Sequence, residues 1–301
     1  MKNLKFLAVA LTILFAASCS NDSTTPNTYG NVTVKITDAP MHYDQFMKAS
    51  VTIDKIEIGN STAPGSFVLL TNKQMKVNLL GLVNGITQTM ASIDIPEGDY
   101  NMLRLYISST EMEMKNGTDF SYNMAQNGFS GSGMMQNGMM LNSTSKSIDI
   151  PLDSLLKVAN GSMHEFLVDV DVERSFMLDG VTFSGTGSSM MMQMTGFTFS
   201  PMLRFVNMQN AGTFQGTVQG PAGVLADATV TLMHNGIVYT TTHTNIEGKY
   251  ALIGIPAGTY TIKVEKNGYS MNPVGNEANM VPLNMTAGSK MMIDFSMIVA
   301  N

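Results

Sequence analysis

The sequence predicts an all-β protein with two domains in tandem. Three observations carry this. Val, Ile, Thr, Tyr and Phe recur in short alternating runs bounded by Gly, Asn, Asp and Pro, the pattern of half-buried strands separated by turns. No stretch of helical period exceeds a short turn, and Leu152 to Val158 is the best candidate for one. Beyond the N-terminal segment about 280 residues remain, enough for two domains of typical size.

The N-terminal segment reads as an export signal. Lys2 and Lys5 precede an apolar run from Phe6 to Ala17. That run has the length of a signal-peptide core and falls short of the roughly 20 residues a bilayer-crossing helix needs. It ends in Ala16-Ala17-Ser18-Cys19, small residues that fit a peptidase cleft followed by a thiol placed to accept lipid. This resembles the lipobox of bacterial lipoproteins, with Ala16 where leucine is commoner. The resemblance implies cleavage before Cys19 and acyl chains on it. Ser20, where a retained lipoprotein would carry aspartate, implies the outer membrane. Residues 1–18 are then the signal peptide and 19–29 a polar lipidated tether interrupted by Pro26. Each buried methylene adds about 0.8 kcal/mol, so two or three chains make a durable anchor. Cys19 is the only cysteine, so no disulfide forms within one molecule and the domains rely on their cores.

The first domain is expected over 30–207. Val32 to Thr37 alternates as a strand and stops at Pro40, which cannot donate to a ladder. Val51 to Ile58 alternates too, but its apolar residues change phase between Ile53 and Ile56, which predicts a bulge. Further strands fall at 75–80, 101–108, 147–150, 165–173 and 197–206. Several motifs follow in fixed order: Ile36-Thr37-Asp38-Ala39-Pro40, Val77-Asn78-Leu79-Leu80, Ile95-Pro96-Glu97-Gly98-Asp99-Tyr100, Leu167-Val168-Asp169-Val170-Asp171 and Pro201-Met202-Leu203-Arg204-Phe205-Val206. The order resembles an uncharacterised lipoprotein domain family whose opening strand ends in Thr-Asp-Ala-Pro. The resemblance implies no reaction. Two methionine-rich insertions depart from it.

The second domain is expected over 212–298. Asn235-Gly236 between two alternating runs predicts a tight hairpin, because both residues tolerate positive φ. That pairing sets His234 opposite Ile237 and His243 opposite Ala228. Gly248-Lys249-Tyr250 and Pro256-Ala257-Gly258-Thr259-Tyr260 follow. Together these resemble the carboxypeptidase regulatory-like domain, which implies a transthyretin-like seven-stranded sandwich used as a spacer or interaction module. Ile93 to Tyr100 parallels Ile253 to Tyr260 across the two domains. Proline ends one strand, glycine permits the turn, and tyrosine opens the next strand with its ring inward. The expected fold class is therefore all-β, two β-sandwich-like domains in tandem after a lipoprotein signal peptide.

Signals for chemistry are sparse. The net charge of −6 and the lack of a basic patch exclude electrostatic binding of nucleic acid. His42, His164, His234 and His243 form no spaced metal motif, and no nucleophile elbow or phosphate loop is present. Asp169, Asp171 and Glu173 alternate with valines, which predicts one acidic strand face; water is its ordinary neighbour and calcium the sharper alternative. Methionine is abundant, at twenty-eight residues, and clusters at Met134, Met135, Met139 and Met140 and at Met190, Met191, Met192 and Met194. Thioethers suit Cu(I) and absorb oxidants, but they also fill irregular cores. No cofactor is expected. The expected protein is a non-enzymatic envelope module, held to a membrane by Cys19 and carrying an unknown glycan or protein ligand. Soft-metal binding or oxidant absorption through the methionines is the alternative, and an enzyme the third reading.

Overall fold

The computed structural model describes residues 28–39, 45–63, 65–129, 133–134, 139–142, 144–185, 191–271 and 282–300. They form an all-β protein with two layered cores. In the N-terminal part a four-stranded sheet runs in the order Leu203–Asn207, Met163–Asp171, Tyr29–Ala39, Gln88–Pro96. Its two central strands pair in parallel, with Thr37 opposite Asp169 and Asp38 opposite Val170. An eight-stranded sheet centred on Phe46–Gly59, Gly98–Met114 and Ser147–Val158 packs against it. Val32, Val34, Ile36 and Val168 from the first sheet and Ile56, Leu103 and Ile148 from the second share one buried cluster. Alternation explains this choice: every second residue of Tyr29–Ala39 turns inward.

In the C-terminal part Ala211–Gly220 anchors a six-stranded sheet. It pairs antiparallel with Lys249–Pro256 and parallel with Lys290–Met292 and Phe295–Val299. The facing sheet runs Ile237–His243, Thr229–His234, Gly258–Glu265, Leu283–Met285. Phe214, Val230, Leu232, Ile262 and Phe295 fill the space between.

The repeated Pro-x-Gly-x-Tyr motif does the same work in both parts. Gln88–Pro96 lies in one sheet and Gly98–Met114 in the other; Lys249–Pro256 and Gly258–Glu265 are divided likewise. Each motif is thus a corner that carries the chain from sheet to sheet. The tyrosine ring folds inward, and its hydroxyl donates back to the proline carbonyl: Tyr100 to Pro96 at 2.9 Å and Tyr260 to Pro256 at 3.0 Å.

Some expectations hold and others are corrected. The bulge near Ile53 is present, as register shifts between Thr52 and Ile53 and between Ile53 and Lys55. Asn235 and Gly236, with φ of 51° and 77°, close the hairpin with His234 opposite Ile237. His243 pairs with Thr229 rather than Ala228, because a bulge between Leu232 and Met233 shifts the register by one. Leu152 to Val158 is strand and not helix; it finishes Ser147–Val158, where an irregularity lies between Pro151 and Leu156. The acidic run is not one strand face. The strand ends at Asp171, and Val172–Ser175 is a helical turn.

Candidate functional site at the domain junction

The C-terminal ends of the parallel strands meet the second sandwich. Thr37 and Asp169 leave their strands toward that junction, whereas Asp38, one residue on, leaves toward the core that holds Ile36 and Val170. Asp169 is 6% exposed, so it is not on a solvated face. Arg204, its register partner, donates to Asp169 Oδ2 through Nε at 3.0 Å and Nη2 at 2.5 Å. The same guanidinium reaches across the junction. Nη1 donates to the Gly254 carbonyl at 3.1 Å, and the guanidinium carbon stands 4.6 Å from the Tyr239 ring centre. Burial works against the Arg204 charge, but Asp169 and Tyr239 outweigh it and push its pKa up.

A second contact flanks this one. Asn84, at φ 60°, donates from Nδ2 to the Lys249 carbonyl at 3.1 Å and accepts from the Ala251 N–H at 2.5 Å. A side-chain amide carries one donor side and one acceptor side, as a peptide unit does. Asn84 therefore pairs with the outer edge of Lys249–Pro256 as a neighbouring strand would. Leu167, Val206 and Ala211 add a small buried apolar patch. Gly254, at φ 64°, lies against it: a Cβ there would fall 2.8 Å from Leu167 Cδ2.

Asp38 is the odd group. Both carboxylate oxygens are buried without a hydrogen-bond partner among the described residues. Burial pushes its pKa well above the ordinary carboxylate range, and Asp169 and Asp171 push it the same way. The Val172 N–H favours the ionised form without reaching hydrogen-bond geometry. Asp171 instead caps the helical turn, accepting from the Arg174 N–H at 2.9 Å and from Arg174 Nε at 2.7 Å. Glu173 lies in that turn. The three acids of the run thus hold three different posts. Among the described residues no three His, Cys, Asp or Glu side chains gather as a metal site.

The other candidates are dispersed. Cys19, His42, Met135 and Met190 lie outside the described residues, and nothing is described of the Met134 side chain. Met139, Met192 and Met194 are buried in the N-terminal core, whereas Met140 and Met191 are half exposed. His164 sits between Ser162 and Gln209. His234 donates from Nδ1 to the Thr259 carbonyl at 3.0 Å, and His243 lies at the far end of the same hairpin. No helix among the described residues is long and apolar enough to cross a membrane. Arg204 stands in the closing motif of the first domain without a role that the motif reveals, and the positive φ that Asn tolerates is the one local sign of Asn84.

This junction sits between two regions that each match a known family. Residues 29–186, more than half of the chain, match the domain of unknown function DUF4382. The chain belongs to the DUF4382 family. Behind the DUF4382 region, residues 213–295 match the carboxypeptidase regulatory-like domain, in the expected order. No curated protein matches the chain. Among solved structures it is similar to the Bacillus anthracis TIE protein, at 11% identity and a TM-score of 0.24, over 90% of this chain and 58% of that one. It is similar also to the shaft pilin spaA of Lactobacillus rhamnosus GG, at 9% identity and a TM-score of 0.24, over 91% and 99% of the two chains. The minor pilin GBS52 of Streptococcus agalactiae matches at 10% identity and a TM-score of 0.24, over 89% and 96%. Similarity at that level carries no function over to this DUF4382 protein.

Proposed function

We infer that this protein is a lipid-anchored, non-enzymatic binding or structural module of the cell envelope. The observation that carries the reading is Ala16-Ala17-Ser18-Cys19 behind a lysine-flanked apolar run. A polar tether separates it from two sandwiches. The fold gives the reading physical support. Two acid–base pairs at the junction, Asp169 with Arg204 and Asp171 with Arg174, hold structure together. Ser20 favours the outer membrane, and the ligand is a glycan or a protein. Labelling cells with palmitate tests the anchor. The wild-type chain is expected to take up label and to sediment with membranes. Cys19→Ala is expected to lose the label and become soluble after lysis. Label retained by Cys19→Ala, or a soluble wild-type chain, would refute the reading.

A further inference from the structure

Beside the latch made by Arg204 and Asn84, the junction opens into a cleft of about 780 Å³. One wall is the end of Met163–Asp171, the helical turn after it and the start of Leu203–Asn207. The other is the outward face of the Asn235-Gly236 hairpin. We propose that this cleft binds a neutral oligosaccharide, an assignment that rests on the reading of the chain as a binding module.

Charge decides the class of ligand. Asp169 pairs with Arg204 and Asp171 with Arg174, while Glu173 and Glu265 also line the cleft, so its rim carries an acidic excess that opposes an anionic ligand. A cation at Asp169 meets the Arg204 guanidinium, and an anion at Arg204 meets the Asp169 carboxylate. A neutral ligand meets neither repulsion. Hydrogen bonding then decides the chemistry. Asp169 lines the cleft, its side chain is 7% exposed, and both Arg204 bonds go to Oδ2. Oδ1 is buried with no donor among the described residues. Closed to solvent, Oδ1 is out of a ligand's reach, and a ligand meets the hydroxyls of the opposite wall instead. Thr231 and Thr241 are cross-strand partners on the opposite wall. Their hydroxyls donate and accept, as sugar hydroxyls do. Ile237 and Val238, 73% and 55% exposed, add an apolar strip for the C–H face of a pyranose ring. The volume and the place between domains are those of small-molecule sites.

The full-length lipoprotein in detergent, screened on an array of neutral glycans and titrated with the best binder, tests this. Thr231→Phe narrows the cleft without touching the Asp169–Arg204 pair, and is expected to weaken binding about tenfold or more. Thr261→Phe lies on the same sheet face outside the cleft and is expected to leave affinity unchanged. Equal affinity of wild type and Thr231→Phe would overturn the cleft as the site while leaving a binding module in place. A blank array with binding to a charged glycan or peptide would overturn the charge argument. A chain that binds none of these probes would overturn the proposal and leave a structural module.

Discussion

Asp38 closes the opening strand, and alternation turns its side chain into the core rather than toward the junction. A buried carboxyl without donors favours its neutral form. Burial, Asp169 and Asp171 all raise the Asp38 pKa. The folded chain therefore holds the Asp38 proton at pH values where the unfolded chain has released it. Stability from this group is fully present below the ordinary aspartate pKa of about 3.9, and is lost as pH rises toward the folded value. Asp38→Asn keeps the shape and removes the titration. Its stability relative to wild type is expected to grow between pH 4 and pH 8, by up to about 1.4 kcal/mol per pH unit within the titrating window. Thermal melting of both chains at several pH values measures it. A constant difference would mean that Asp38 is ionised and satisfied. The Thr-Asp-Ala-Pro motif located this residue, but no sequence pattern showed that Asp38 turns inward while Thr37 faces the junction. That division depends on the parallel partner Met163–Asp171, far away in sequence.

At the scale of elements, the paired corners make the sharpest comparison. Tyr100 and Tyr260 make the same hydroxyl-to-proline bond in different sandwiches. Burial pushes the Tyr260 hydroxyl up to about 12, with Tyr239 adding to the shift and Arg204 opposing it, so it stays a donor at any physiological pH. Tyr100→Phe and Tyr260→Phe each remove one donor and leave a proline carbonyl short of a partner. Each is expected to cost about 1 kcal/mol, read as a lower urea midpoint with unchanged slope. A cost near zero for both would mean that the rings alone make the corner. These corners were legible because Pro, Gly and Tyr act through local geometry. The hairpin at Asn235-Gly236 was legible for the same reason. Leu152 to Val158 is ambiguous in sequence because Leu155 and Lys157 face solvent while Leu156 and Val158 are buried, and so short a run fits either period. The helical turn at Val172–Ser175 is hidden in the sequence because Val172 and Glu173 continue the alternation past the real strand end.

At the scale of the whole molecule, the junction decides whether two sandwiches act as one body. Its contacts join residues far apart in sequence: Asn84 with Lys249 and Ala251, Arg204 with Gly254. No local periodicity encodes such pairs, so the junction and its cleft were not legible in the chain even where both families were. Physically, the junction covers an edge. On the outer side of Lys249–Pro256, Asn84 satisfies the Lys249 carbonyl and the Ala251 N–H, and Arg204 satisfies the Gly254 carbonyl. An uncovered edge is a site for unwanted strand pairing. Asn84→Gly keeps the positive φ and deletes the side chain, so the turn is retained while two hydrogen bonds across the junction are lost. The loss is expected to weaken coupling by about 1–3 kcal/mol. Wild type is expected to melt in one calorimetric transition, and Asn84→Gly in two, with the C-terminal sandwich exposing its edge and gaining a tendency to aggregate. Arg204→Met probes the other half of the latch. It leaves Asp169 buried without a counter-charge and is expected to cost about 3–5 kcal/mol, far more than Asn84→Gly. Two transitions in the wild-type chain would show that the sandwiches are uncoupled already, and that the latch covers an edge without joining two bodies.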